Sequence, residues 1–145
     1  MTKRIVYIRT DGGLSVLSPA PNGRRKNESE QDWLARIIAK DVPADSSNVR
    51  IVEESEIPAD RTFRDAWVHD GEKLAHDMDA AREIHMKRIR AARNKELSRL
   101  DVEQLKGNDV SARKQELRDL PQTFDLSVAA TTDALKALWP EGLLQ

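Results

Sequence analysis

The side chains with which this chain could do chemistry are few. It contains no cysteine, which removes disulfides, thiolate zinc sites and thiol nucleophiles together. Metal or acid–base work would rest on His69, His76 and His85. His76 stands near Asp79 and Glu83, but neither a second histidine at helical spacing nor a His-Glu-x-x-His pattern accompanies it, and a metal site needs several convergent ligands. The stretch Asp77 to Glu83 reads instead as acid at the positive end of a helix. His85 falls on the apolar stripe of that helix, where a packed, hydrogen-bonded imidazole is expected rather than a general base. Ser15, Ser18, Ser29, Ser98, Ser111 and Ser127 lie in turn, cap or helix contexts without the strained elbow or local base that activates a hydroxyl. Thr10-Asp11-Gly12-Gly13 lacks the Gly-Lys-Ser/Thr ending of a phosphate loop and the third glycine of a dinucleotide fingerprint. The expectation is a protein with no catalytic residue, no metal and no cofactor.

A basic stretch remains. Arg82, Lys87, Arg88, Arg90, Arg93, Lys95 and Arg99 are opposed locally only by Glu83 and Glu96. Such charges on one helix could follow a phosphate backbone, each neutralised phosphate adding salt-dependent affinity. The bases occupy several faces, however, and no exposed aromatics are interleaved for stacking. A nucleic-acid-binding regulator using the helix 82–99 is therefore the second expectation, behind a solvated or protein-facing helix.

The elements that carry these residues follow from turns and periodicity. Lys3 to Arg9 and Leu14 to Leu17 flank the Gly12-Gly13 turn as a hairpin. Trp33, Leu34, Ile37 and Ile38 predict a helix from Ser29 that Pro43 ends. Val49 to Val52 is a further strand, completing a ββαβ unit. Asp70-Gly71 marks a second hairpin between Ala66-Trp67-Val68 and Lys73-Leu74-Ala75. Asp77 is a plausible cap for a helix from Met78 to about Leu100, with Met78, Ala81, His85, Ile89 and Ala92 in one narrow stripe. Asp101 and Lys106-Gly107-Asn108 should interrupt it, and a helix capped by Asn108 or Asp109 should run to Leu120, before Pro121. The pair reads as a helical hairpin, followed by a short helix from Thr132 that Pro140 stops. The fold class is thus α+β, with residues 1–58 as the ββαβ unit and 59–145 as a hairpin plus helical hairpin.

Composition bounds what such a fold can be for. Of 145 residues, 34% are charged against about 25% in an average domain, so the core should be thin or elongated. With 24 basic and 25 acidic residues the formal net charge is -1, which disfavours whole-molecule polyanion binding. Only Ile5 to Ile8 precede Arg9 as an apolar run, too short for a signal-peptide core, and no later run approaches the ~20 residues of a membrane span. The expected location is the cytoplasm of a bacterium or infected host, with no membrane partner.

The order of four segments resembles the small tail-assembly or tail-fibre-assembly chaperone-like proteins of tailed bacteriophages and prophages: WVHDGEKLAHD from Trp67 to Asp77, IRAARNKELSRLD from Ile89 to Asp101, RKQELRDLP from Arg113 to Pro121, and ALWP from Ala137 to Pro140. The resemblance covers roughly the C-terminal half. Where that family often has tryptophan and a proline-containing loop after the first helix, this chain has Val102-Glu103-Gln104-Leu105, and Ser111-Ala112 replace an aromatic before the second. The resemblance implies a non-catalytic accessory protein that binds a tail or tail-fibre polypeptide. Partner contacts are then expected at Arg88, Arg93, Arg113, Leu117, Arg118, Leu138 and Trp139, and ion pairs from Arg93, Arg113 and Arg118 to Glu96, Glu116 and Asp119. A minor structural protein of the virion is a third expectation, and a homo-oligomer is left open.

Overall fold

A computed structural model describes residues 2–71 and 73–145. Small antiparallel sheets are followed by helices, so the chain is α+β. It divides into two compact units, Met1–His76 and Asp77–Gln145.

The first unit is built on a sheet of order β2-β1-β3, from β1 (Lys3–Ile8), β2 (Leu14–Leu17) and β3 (Ser47–Glu53), all antiparallel. Gly12, at φ +83°, makes the β1–β2 turn, and the Asp11 carboxylate accepts from the Gly13 N–H at 2.8 Å. Alternation along β1 places successive apolar residues on opposite faces. Ile5 joins Leu34 and Ile37 of α1 (Glu30–Asp41), while Val6 joins Leu14, Val52 and Trp67. The central strand is therefore buried on both sides. α1 starts where Ser29 Oγ accepts from the Asp32 N–H, carries Glu30 and Asp32 in its first turn, and ends at Val42 before Pro43.

β4 (Trp67–Asp70) and β5 (Lys73–His76) form the second hairpin, in the register Trp67↔His76, around a turn whose Glu72 lies outside the described residues. Trp67, 2% exposed, places this hairpin with the first unit. The boundary falls between His76 and Asp77, not after residue 58, because a buried tryptophan side chain outweighs the Pro58 break that marks a boundary in the sequence.

The second unit contains α2 (Met78–Leu105), α3 (Ser111–Thr123) and α4 (Thr132–Ala137). Asp77 caps α2, accepting from the N–H groups of Asp79 and Ala80. At about 1.5 Å per residue α2 is roughly 42 Å long. Its stripe is the expected one, with Ala81, His85, Ile89 and Leu100 buried.

Three helix ends differ from expectation. α2 continues through Asp101, whose carboxylate meets Lys114 Nζ of α3 at 2.5 Å, and stops only ahead of Gly107 at φ +91°. An exposed aspartate costs a helix a few tenths of a kcal/mol, far less than a glycine in the left-handed region decides. α3 also runs past Pro121 to Thr123: the Phe124 N–H closes onto Leu120 O, so the ring removes one bond near the end without terminating the helix. Neither Asn108 nor Asp109 caps α3 as expected: Val110 is its N-cap, without a side-chain bond, and Asp109 accepts instead from Ser111 N–H and Oγ at 3.2 and 2.7 Å.

Candidate functional site

The end of α2, α3 and the C-terminal segment meet in one core. Leu97 and Leu100 from α2, Leu117 and Leu120 from α3, and Trp139 and Leu143 from the C-terminal segment form a single apolar cluster. Trp139 stands edge-on to His85, with ring centroids 5.6 Å apart, and its Nε1–H donates to Leu143 O at 3.0 Å. His85 Nε2 lies 2.7 Å from Leu138 O, and because a carbonyl only accepts, the proton in that bond is on Nε2. The histidine expected to be packed and hydrogen-bonded is so placed.

This geometry redistributes the residues expected to meet a partner. Leu117 is 1% exposed, so its side chain is consumed within the unit. Trp139 and Leu138 are half-buried and engaged with His85 and Leu143. Trp139 packs on the unit's own cluster and Leu138 is engaged through its carbonyl, while the expectation of a partner contact at Leu117 is corrected by its burial. Arg113 bonds Glu116 at 3.0 Å one turn along α3, not across helices as expected, and also reaches Glu141 O, tying α3 to the C-terminal segment. Two other expected pairs are made differently: Glu96 accepts from Arg99 at 2.7 Å while Arg93 turns to Asn94 Oδ1, and Asp119 accepts from Gln115. Arg88 and Arg118 are exposed.

The surface that remains open has two parts. Leu105 is 89% exposed and Val102 51%, on adjacent turns at the end of α2. Val128 and Leu144 are exposed in the same unit at 70% and 92%. These four were missed from sequence. The available signal was angular: at 100° per residue Leu105 falls about 160° round the helix from Ile89, off the buried stripe.

The second part is the basic flank of α2. Arg82 is fixed by Asp79 Oδ1 at 3.0 Å and Ala129 O at 2.9 Å. Lys87 and Arg90 are exposed, and among the described residues neither makes an ion pair or hydrogen bond. With Arg82, Glu83, Met86 and Leu126 they line a groove of about 430 Å³.

His76 Nε2 accepts from Trp67 Nε1–H at 3.2 Å, and no cluster of metal-binding side chains occurs among the described residues. Both ring nitrogens of His69 are occluded and lack a partner; burial, and then the charge of Arg50, hold its pKa below the ordinary 6.5. The Glu28 carboxyl is lowered to about 2 by the Arg36 guanidinium, bonded at 2.7 and 2.8 Å, and by the Arg25 N–H.

Among the described residues no helix is long and apolar enough to cross a membrane. The fold and its open surfaces define an α+β chain with a self-contained sheet unit and a helical unit that leaves apolar and cationic groups uncovered. No protein-family model matches the chain, and no curated protein or solved structure matches it.

Proposed function

We propose that this chain is a non-catalytic accessory protein that assists assembly of a bacteriophage or prophage tail or tail fibre by binding one of its polypeptides. The observation that carries the reading is the exposure of Val102 and Leu105 at the end of α2, with Val128 and Leu144 on the same unit. Burying about 100 Å² of such apolar surface contributes about 2.5 kcal/mol, so an open set of this kind favours association. The segment order that resembles phage tail-assembly proteins supports the identity of the client. The deciding experiment is co-expression with the proteins encoded by its neighbouring genes, together with mass spectrometry of particles purified from the producing cell. Co-purification with a client and absence from finished particles supports the reading. Retention in particles indicates a structural protein of the virion instead.

The unpaired Lys87 and Arg90 favour a second reading, a nucleic-acid-binding regulator. Its affinity for duplex DNA or RNA should fall steeply with salt, and replacing Arg88, Arg90 and Arg93 by alanine should flatten that slope.

A further inference from the structure

The geometry points to the groove beside α2 as a docking site for an acidic, amphipathic segment of a partner polypeptide, one apolar side chain resting on Met86 and Leu126 with carboxylates meeting Lys87 and Arg90.

The groove lies wholly within the helical unit. Its inner wall is rigid, because Arg82 bridges Asp79 on its own helix to Ala129 O in the segment before α4. Its floor is apolar, from half-buried Met86 and from Leu126 at 6% exposure. Along the rim Lys87 and Arg90 have no partner among the described residues, whereas the cations of Arg82 and Arg99 are taken up by Asp79 and Glu96. Arg88 and Arg93, on the same turns of α2, add to the positive potential there, and a field of this kind reaches about 8 Å at physiological salt.

Charge and floor together select the occupant. An amphipathic helix lays alternate turns into such a groove and keeps its charged residues at the rim. The single lining carboxylate, Glu83, sets a direction: the occupant's acidic residues belong at the Lys87–Arg90 end. A phosphate backbone would gain the cations but nothing from Met86 and Leu126, and no aromatic side chain lines the groove for a base to stack on.

The inference rests on the protein-binding reading, and its test separates the two. The probe is a fluorescent peptide of about twelve residues, glutamate-rich with two leucines one helical turn apart, titrated into the full chain by anisotropy and by backbone amide NMR. Expected are shifts at Met86, Lys87, Arg90 and Leu126, and about tenfold weaker binding by Lys87→Glu/Arg90→Glu, with unchanged thermal melting. Lys95→Glu, outside the groove, should stay within about twofold. A peptide with serine for leucine should bind about tenfold more weakly. Equal binding by the serine peptide, equal loss with Lys95→Glu, or tighter binding of a DNA duplex at the same residues overturns the proposal. Co-expression with the proteins encoded by its neighbouring genes gives the separation: a client recovered equally with the wild-type and charge-reversed chains sinks the groove but keeps the assembly reading, whereas recovery of no client sinks that reading even if the peptide binds.

Discussion

The two units spend their charged residues differently. In the sheet unit two ion pairs join segments about fifty residues apart, Lys3 with Glu53 across β1 and β3 and Arg4 with Glu54, beside the local pairs Arg36–Glu28, Arg9–Asp11 and Lys40–Asp41. In the helical unit most pairs are one turn apart on a single helix, as in Arg82–Asp79, Arg99–Glu96, Lys106–Glu103 and Arg113–Glu116. Exposed pairs of either kind contribute only about 0–1 kcal/mol. Their placement nonetheless shows where tertiary structure fixes the surface. A strand pair brings opposite charges together by register, whereas a long helix pairs what its own sequence supplies and leaves the remainder facing outward.

The apolar residues show the same contrast. β1 is covered on both faces, by α1 and by the side of the sheet that holds Trp67, whereas α2 is covered along one stripe and ends in exposed Val102 and Leu105. The sheet unit leaves Val49 and Ile51 of its edge strand β3 exposed at 38% and 43%, less than the 51–92% of the open apolar residues of the helical unit.

The sharpest attack on this contrast is Trp67→Ala. Removing a side chain that is 2% exposed should destabilise the protein by about 3–5 kcal/mol, measured by urea unfolding. A cost below about 1 kcal/mol would mean that the second face of β1 is not a core at all. Next is Leu117→Ala, expected to cost about 2–5 kcal/mol because the same cluster holds Leu100 and Leu143. A surface-like value there would return Leu117 to the residues available to a partner.

Asp77→Ala should cost about 1 kcal/mol by removing the cap from α2, and the Asp77→Asn variant should recover most of it. Hydrogen exchange at Asp79 and Ala80 is the local readout.

In the sheet unit a pH titration probes His69 and Glu28. Because the folded-state pKa of His69 lies below the ordinary 6.5, the unfolded chain binds its proton more readily; stability from neutral His69 is complete above that value and falls as pH drops below it. Glu28 acts in a lower window: its folded pKa of about 2 against an ordinary 4.5 gives a contribution present above 4.5 and lost as pH falls toward 2. The urea midpoint should therefore decline below about pH 6.5, and His69→Gln should flatten that first decline. A midpoint that stays level to pH 5 in the wild-type chain refutes the placement of His69.

The smallest stability change, within about 0.5 kcal/mol, is expected for Leu105→Ser, since that side chain is 89% exposed. Its effect should appear in client co-purification instead, and a large loss of stability would show that Leu105 already packs within the protein.

Much of this architecture was legible residue by residue. The Asp11-Gly12-Gly13 turn, the Ser29 and Asp77 caps, and the stripe through Ala81, His85 and Ile89 are local signals, and local physics delivered them. What was not legible depended on partners distant in sequence. Asp101 reads as a helix breaker until Lys114 is placed opposite it. Trp139 reads equally as an anchor for another chain or as a cover for this one, because both roles require the same apolar ring, and its bond to Leu143 O comes from a return of the chain that no local signal announces. Pro58 looked like a boundary because nothing local announces that Trp67 packs with Val6 and Val52. The groove was hidden for the same reason, since Leu126 sits 36 positions beyond Arg90.

The one-sided burial of α2 also limits how its gene can change in length. One residue inserted between Ile89 and Leu100 would turn everything beyond it by about 100°, swinging Leu100 away from Leu117 and Leu143. Insertions and deletions in this stretch should keep the face only when they add or remove roughly whole turns, as seven, eleven or eighteen residues do.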